Sequence, residues 1–397
     1  MSKPDFIVFA EDWQRHPSSS QHLFEQLGQQ HRVLWVNSIG LRRPGWADLG
    51  RLWHKLTAVL KREQRQPDQS GPVQVLAPLA IPVPRSRWAR ALNRALLRWQ
   101  VRRKARAMGL HRPWLWLALP TAVDLVGQLG EAGTLYYCGD DFSALAGVDH
   151  QVVARREQEL ASKADRILVA SEALAAKFAS HWQHKTQLLP HGVALAHFQT
   201  PAEVDPCLQG ASPVAGFYGS VAEWLDQEML LEAARRLPHW RFVLVGRVET
   251  DVSRLQAQTN IELMPPVPHS ALPSLVQHWQ ASLLPFRDNA QIRACNPLKL
   301  REYLAAGTPV ISTDFPALKP FMPWLTRVRD GAQLAEALTN LAQLPQPKGQ
   351  ELQDSLQAQS WQQRAEQVLA CVAQLNQRKG SMAESKPGPA LGPELAG

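Results

Sequence analysis

Lys299 and Glu302 stand three residues apart in the stretch Asn296-Pro-Leu-Lys-Leu-Arg-Glu-Tyr-Leu-Ala-Ala-Gly-Thr-Pro-Val-Ile-Ser312. If the stretch is helical, that spacing puts both on roughly one face. A lysine in the first turn of a helix meets the positive end of the dipole, which is mildly unfavourable. A phosphate dianion bound there reverses the sign, because backbone amides, dipole and ammonium then all point at it. Glu302 can accept hydrogen bonds from a pair of sugar hydroxyls. The same spacing equally describes an i,i+3 ion pair on a surface helix. In the first half, Gly139-Asp140-Asp141 follows a strand, and adjacent carboxylates there suit acid–base chemistry or the holding of sugar hydroxyls; a turn with a capping aspartate is the other reading. His191 precedes Gly192 and fits a turn histidine better than a catalytic one.

These residues need elements to position them. Asn296 is a suitable N-cap, Pro297 a suitable first helical residue, Gly307 a left-handed C-cap, and Pro309 ends the helix before a strand over 310–313. The chain opens strand–loop–helix–strand: Asp5 to Ala10, a polar loop from Glu11 to Ser20, a helix over about 21–30, and a strand over 32–36. Further strands are expected at 114–119, 135–138, 166–170 and 187–189. After a polar, proline-bearing linker at 199–212 they resume at 214–218, 241–246, 261–264 and 281–286. Strands alternating with helices imply parallel, doubly wound sheets whose ligands bind beyond the strand carboxyl ends. Gly219-Ser220 and Arg247 stand at two such ends, where small residues let amides approach a phosphate. No Gly-x-Gly-x-x-Gly is present. Two α/β halves of this kind, facing across a cleft, are a natural active site.

The 397 residues suffice for two ordinary domains, and 45% hydrophobic with 20% charged residues is a globular composition. The four cysteines, Cys138, Cys207, Cys295 and Cys371, form no C-x-x-C and read as thiols of a reducing compartment. The amino terminus leads directly into a strand and no long apolar run exists, so the expectation is a cytoplasmic protein, peripheral at the inner face of the membrane. Basicity is concentrated early: residues 1–200 hold 26 Lys+Arg against 16 Asp+Glu. The basic segments are 41–65 and 84–107. In the second, Arg87, Arg90, Arg94 and Arg98 share one helical face, and Trp88, Leu92, Ala95 and Trp99 another. Such a helix can lie on an anionic membrane or pack on its own domain through the tryptophan face. Nucleic acid is not expected as a partner, because no recognised binding motif is present.

Taken together, these segments resemble the two-domain GT-B glycosyltransferases, in particular the group 1, family-4-like branch that builds bacterial envelope glycans. Residues 190–198 resemble the family's Pro-Asn-Gly-Val segment, Gly216 to Ser220 its glycine-bearing strand, 260–286 the passage by its base-binding loop at Pro266-Val267-Pro268, and 296–312 its donor-binding helix and strand. Ser360-Trp361 is similar to the start of the helix that crosses back to the first domain. The resemblance implies an acceptor-side domain over 1–198, a linker over 199–212, a nucleotide-sugar domain over 213–360, the crossing helix over 361–376 and a disordered tail over 377–397.

The resemblance implies transfer of a hexose from a nucleotide-diphosphate sugar, UDP before GDP, to a lipid-linked or polysaccharide acceptor, metal-independent and with retention. Glu302 would hold the ribose, Lys299 and Arg247 the diphosphate, and Val267 the base through its backbone, with Gly219, Ser220 and Asn296 completing the donor site. Asp140, Asp141 and His16 would face the reaction centre. Ala294 departs from the family's Glu-x7-Glu pattern, with Asp288, Asn289 or Asn296 as substitutes for the missing first glutamate. A nucleotide-sugar 2-epimerase of the same fold and a non-catalytic scaffold in surface-glycan assembly are the alternatives.

Overall fold

Runs such as Phe6-Ile-Val-Phe9 and Val214-Ala-Gly-Phe-Tyr218 leave no polar face, which suits only strands covered on both sides. The computed structural model describes residues 3–14, 18–38, 73–79, 87–141 and 150–384, and it forms two such sheets. The first holds β1 (Phe6–Phe9), β2 (Val33–Val36), β3 (Val73–Leu76), β4 (Trp114–Leu117), β5 (Gly133–Cys138), β6 (Arg166–Val169) and β7 (Thr186–Leu188) in the order β3-β2-β1-β4-β5-β6-β7. The second holds β8 (Val214–Tyr218), β9 (Arg241–Val245), β10 (Ile261–Met264), β11 (Ala281–Leu284), β12 (Val310–Ser312) and β13 (Leu325–Arg327) in the order β10-β9-β8-β11-β12-β13. Every pairing within them is parallel. In both, the strand order reverses beside the first strand, between β1 and β4 and between β8 and β11. Those are the points where open sheets leave a crevice for ligands.

The helices used below are α1 (Ser19–Gly28), α2 (Arg87–Ala107), α3 (His150–Lys163), α4 (Glu172–Lys177), α5 (Gln227–Arg236), α6 (Ala290–Ala294), α7 (Leu298–Ala306), α8 (Gly331–Thr339) and α9 (Trp361–Glu384). Side-chain caps start several of them: Ser18 for α1, Ser171 for α4, Asp226 for α5 and Asp330 for α8 each accept a first-turn amide. For α7 the expected cap is displaced by one residue. Pro297 is the N-cap, with no side-chain bond, and Asn296 lies outside the helix. Gly307 ends α7 at φ +78°, as its type requires.

Each sheet has its own core. Trp361, Ala365, Val368, Cys371, Val372 and Leu375 of α9 return to the first. Val193 and Phe198 already pack into the second, so the chain changes domain near Gly192 rather than after residue 198. Helix α9 continues to Glu384, so 377–384 is helical and not part of a disordered tail. Helix α2 buries Leu97, Val101 and Ala105, which lie on the same side of the helix as Arg94 and Arg98, and leaves Trp99 57% and Leu92 55% exposed on the opposite side. Packing through the tryptophan face is therefore excluded for these two residues. The side chains of Arg87, Trp88 and Arg90, the segment 41–65, and 385–397 lie outside what is described. Among the described residues no helix is long and apolar enough to cross a membrane.

Candidate functional site

The loops after β8 and β9 meet at two glycines. Gly246, at φ +155°, would place a Cβ 1.9 Å from the Gly219 carbonyl oxygen, so no side chain fits there. The Gly219 amide donates to the Val245 carbonyl at 2.8 Å. Gly219 itself has φ +132°, and a Cβ on it would sit 2.7 Å from Lys299 Nζ. The ammonium of α7 is thus held against this glycine backbone. It lies 5.0, 5.4 and 5.7 Å from the ring centroids of Phe217, Trp224 and Phe286. Among the described residues it has no ion-pair or hydrogen-bond partner. Aromatic faces attract a cation but do not neutralise it. Burial consequently lowers the Lys299 pKa to about 8, against weaker upward pulls from Cys295 and Glu302.

Glu302 is buried and does not pair with Lys299, so the surface ion-pair reading fails. One of its oxygens accepts from the Tyr218 hydroxyl and the other from His269 Nε2 at 3.3 Å. Tyr303 supports this corner, its hydroxyl accepting from the Tyr218 amide at 3.1 Å. Val267 is half-buried in the loop after β10, and Ser220 is half-buried beside Gly219. Arg247 is exposed at the end of β9, and its carbonyl accepts from the Val221 amide at 2.7 Å. The structure therefore gathers Gly219, Ser220, Arg247, Val267, Lys299 and Glu302 at one sheet edge.

Asn296 is drawn elsewhere. Its amide donates to the Ala170 carbonyl at 2.7 Å, and its oxygen accepts from Arg301 at 2.8 Å. Ser171 donates to the Ala294 carbonyl at 2.7 Å, and Ala294 and Leu298 pack on the first-domain core. The segment that lacks the expected glutamate is thus docked on the first domain. The side chains considered as substitutes are all engaged: Asp288 pairs with Arg293, Asn289 caps α6, and Asn296 ties the domains.

Across the cleft, Asp140 is exposed just beyond β5, next to Asp141. Asp141 is held by Lys177 at 2.8 Å, a cation that also binds Glu157 at 2.7 Å. His16 lies outside the described residues. His191 is buried and neutral: desolvation, with Arg301 and Arg364 nearby, pushes its pKa down to about 3. Its Nδ1 faces the hydroxyls of Ser19 at 2.6 Å and Tyr137 at 3.0 Å. It is a structural histidine. The Cys295 thiol, raised to about 12 by burial, feels both Lys299 and Asp140, so it lies between the two sides.

One carboxyl was not singled out from the sequence. Glu11 follows β1 at the crevice of the first sheet, and its Oε1 is buried with no hydrogen-bond partner. Desolvation, together with Asp140 and Asp12, raises its pKa to about 7 despite a backbone hydrogen bond that lowers it. Its carbonyl accepts from Trp35 Nε1 at 3.0 Å, and Gln21 and Asn37 pin the residues that follow it. An acid at the start of a polar loop carries no sequence signal of burial. That burial comes from tryptophan and strand contacts distant in the chain.

Residues 212–343 match the family model described as "Glycosyl transferases group 1". That stretch is similar to a group 1 glycosyl transferase domain. A Bacillus subtilis protein, TuaH, named as a glycosyltransferase of teichuronic acid biosynthesis, is 28% identical over 221 residues, 51% of this chain and 56% of TuaH. The match thus spans about half the length of that curated relative. Among solved structures, Anabaena Alr3699/HepE in complex with UDP and glucose superposes with a TM-score of 0.60 at 12% identity, covering 96% of this chain and 100% of that one. The E. coli trehalose-6-phosphate protein bound with UDP-2-fluoro glucose superposes with a TM-score of 0.58 at 12% identity, covering 94% and 99%. At such identity these likenesses establish the fold. It is GT-B: two Rossmann-like parallel sheets with a helix returning from the second to the first. The matches favour neither the epimerase nor the scaffold alternative.

Proposed function

We propose that the chain is a glycosyltransferase whose donor is a nucleotide-diphosphate sugar, with UDP before GDP. The observation that carries this is Lys299: an ammonium without a counter-anion among the described residues, held against the Gly219 backbone at the first turn of α7. A diphosphate there would supply the missing negative charge and meet amides and dipole of the same sign preference. The buried Glu302 would take the ribose hydroxyls, Val267 the base through its backbone, and Arg247 the outer phosphate. Relatives named for UDP and UDP sugars support the choice of nucleotide.

In transfer, the bond from the anomeric carbon to the diphosphate oxygen breaks and negative charge grows on the leaving nucleotide. Lys299 and the first-turn amides of α7 stabilise that charge where it develops, with no metal required for the role. The positively charged sugar then faces the carboxyl groups of the first domain, Asp140 and Glu11. The acceptor is a glycan or lipid-linked sugar, a reading supported by TuaH's place in teichuronic acid biosynthesis. Exposed Leu92 and Trp99 with Arg103 on one side of α2, flanked by exposed Arg94 and Arg98, suit an anionic membrane surface, with Arg103 stacked over Trp99 at 5.4 Å. The test is release of UDP from UDP-glucose on addition of a glycan acceptor. Release that depends on acceptor and on Lys299 supports the proposal. Binding of UDP with no release across a panel of sugars and acceptors contradicts it.

A further inference from the structure

Three imidazoles lie in a row that crosses between the domains. His22 belongs to α1 of the first domain; His197 and His269 sit on the second. The His22 ring is 5.0 Å from that of His269, and His269 is stacked on His197 at 4.7 Å and 19°. On its other side His22 stacks on Trp361 of α9 at 5.3 Å and 20°. His197 Nε2 donates to the His269 carbonyl at 2.9 Å, and Phe198 meets the His269 ring edge-on at 5.6 Å. The ring of His269 therefore has little freedom to turn. Its Nε2 is directed at Glu302 Oε1, 3.3 Å away; because a carboxylate only accepts, that nitrogen carries the proton. With the Tyr218 hydroxyl on the second oxygen, both oxygens of Glu302 are held from behind.

We propose that His269 is a positioning residue for the nucleoside end of the donor, and that His22 makes this positioning depend on the seating of the first domain. The inference rests on Glu302 being the ribose carboxylate, as proposed above. A carboxylate has about four acceptor directions. Donors from Tyr218 and His269 take two and fix the plane of the group, which leaves the others aimed for a ribose diol. His22 touches neither Glu302 nor Lys299 through any hydrogen bond, and its own Nε2 is buried without a partner. Its contribution is to stop the His269 ring from swinging away. Domain seating and nucleoside affinity are thereby linked through one ring contact.

The experiment titrates the full chain with UDP and, separately, with inorganic pyrophosphate, by calorimetry. Pyrophosphate engages Lys299 but has no ribose. His269→Phe keeps a ring in the stack and removes the donor; UDP affinity should fall about tenfold, the cost of one lost charged hydrogen bond. Pyrophosphate affinity should stay within twofold, and His269→Gln, which restores an N–H, should recover part of the UDP affinity. His22→Ala should weaken UDP about threefold and leave pyrophosphate unchanged. UDP affinity unchanged in His269→Phe overturns the proposal, as does an equal loss for both ligands. Failure of the unaltered protein to bind UDP at all counts instead against the donor site itself.

Discussion

The Asn296 side chain donates to the Ala170 carbonyl at 2.7 Å, so the chain two residues before α7 is fastened to the end of β6 in the other domain. Its oxygen meanwhile accepts from Arg301, a buried guanidinium whose pKa desolvation lowers to about 9. Asn296→Ala leaves a buried carbonyl and a buried cation each short of a partner. An unsatisfied group of this kind costs about 1–3 kcal/mol, more when charged. Urea denaturation should show a loss of about 3 kcal/mol. A loss below about 0.5 kcal/mol would show that the fastening is not maintained in solution.

Glu11 gives a stability change of known sign. Its folded pKa, about 7, is above the ordinary carboxyl value of 4.5. The protonated form is therefore the one the fold prefers. Stability from this group is fully present below pH 4.5 and is lost as pH rises through 7. Glu11→Gln keeps the shape without the charge. It should match the parent at pH 4.5 and exceed it by up to about 3 kcal/mol at pH 8. Thermal unfolding of both proteins across that range checks it; a difference independent of pH would contradict the burial of a titrating carboxyl.

Lys299 gives the opposite kind of dependence, read in binding. With a pKa near 8 in the unliganded protein, it is charged at pH 6–7 and progressively neutral above 8. The diphosphate binds the ammonium form. UDP affinity should be level up to about pH 7.5 and fall by up to tenfold per pH unit above 8. Lys299→Met should bind weakly and remove that limb. Calorimetric titrations at pH 6, 7, 8 and 9 are sufficient.

Helix α2 should carry the protein onto anionic vesicles. Co-sedimentation with phosphatidylglycerol vesicles should fall at least fivefold in the Arg94→Glu, Arg98→Glu, Trp99→Ala variant. It should also weaken with salt, because each basic side chain near such a surface contributes about 1 kcal/mol. Unchanged binding in that variant would assign the surface to another part of the first domain.

Much of this was legible in the residues. The eleven strands flanked by clear helix or turn signals were expected within a residue or two, β8 with the bounds observed. The two not expected, β3 and β13, are edge strands of three or four residues. A short run such as Leu325-Thr-Arg327 has no periodicity to read. Lys299 and Glu302 were visible because a first-turn lysine goes against the helix dipole and so asks for a partner. What remained hidden depends on contacts between distant segments. His22, His197 and His269 form a stack only after both domains fold, and Glu11 becomes a perturbed acid only when Trp35 and Asp140 close around it. The role of Asn296 is not legible in the sequence, because a good capping residue before a helix looks the same whether its side chain turns to the helix or to a neighbouring domain.

The central claim is that the Lys299–Glu302 corner holds the donor nucleotide. Calorimetric titration of UDP at pH 7 into the parent, Lys299→Met and Glu302→Ala proteins, each verified as folded by circular dichroism, tests it directly. The parent should bind clearly and both variants should lose at least about a hundredfold, as expected when a charged contact in a buried site is removed. Parent-like affinity in either folded variant would contradict it.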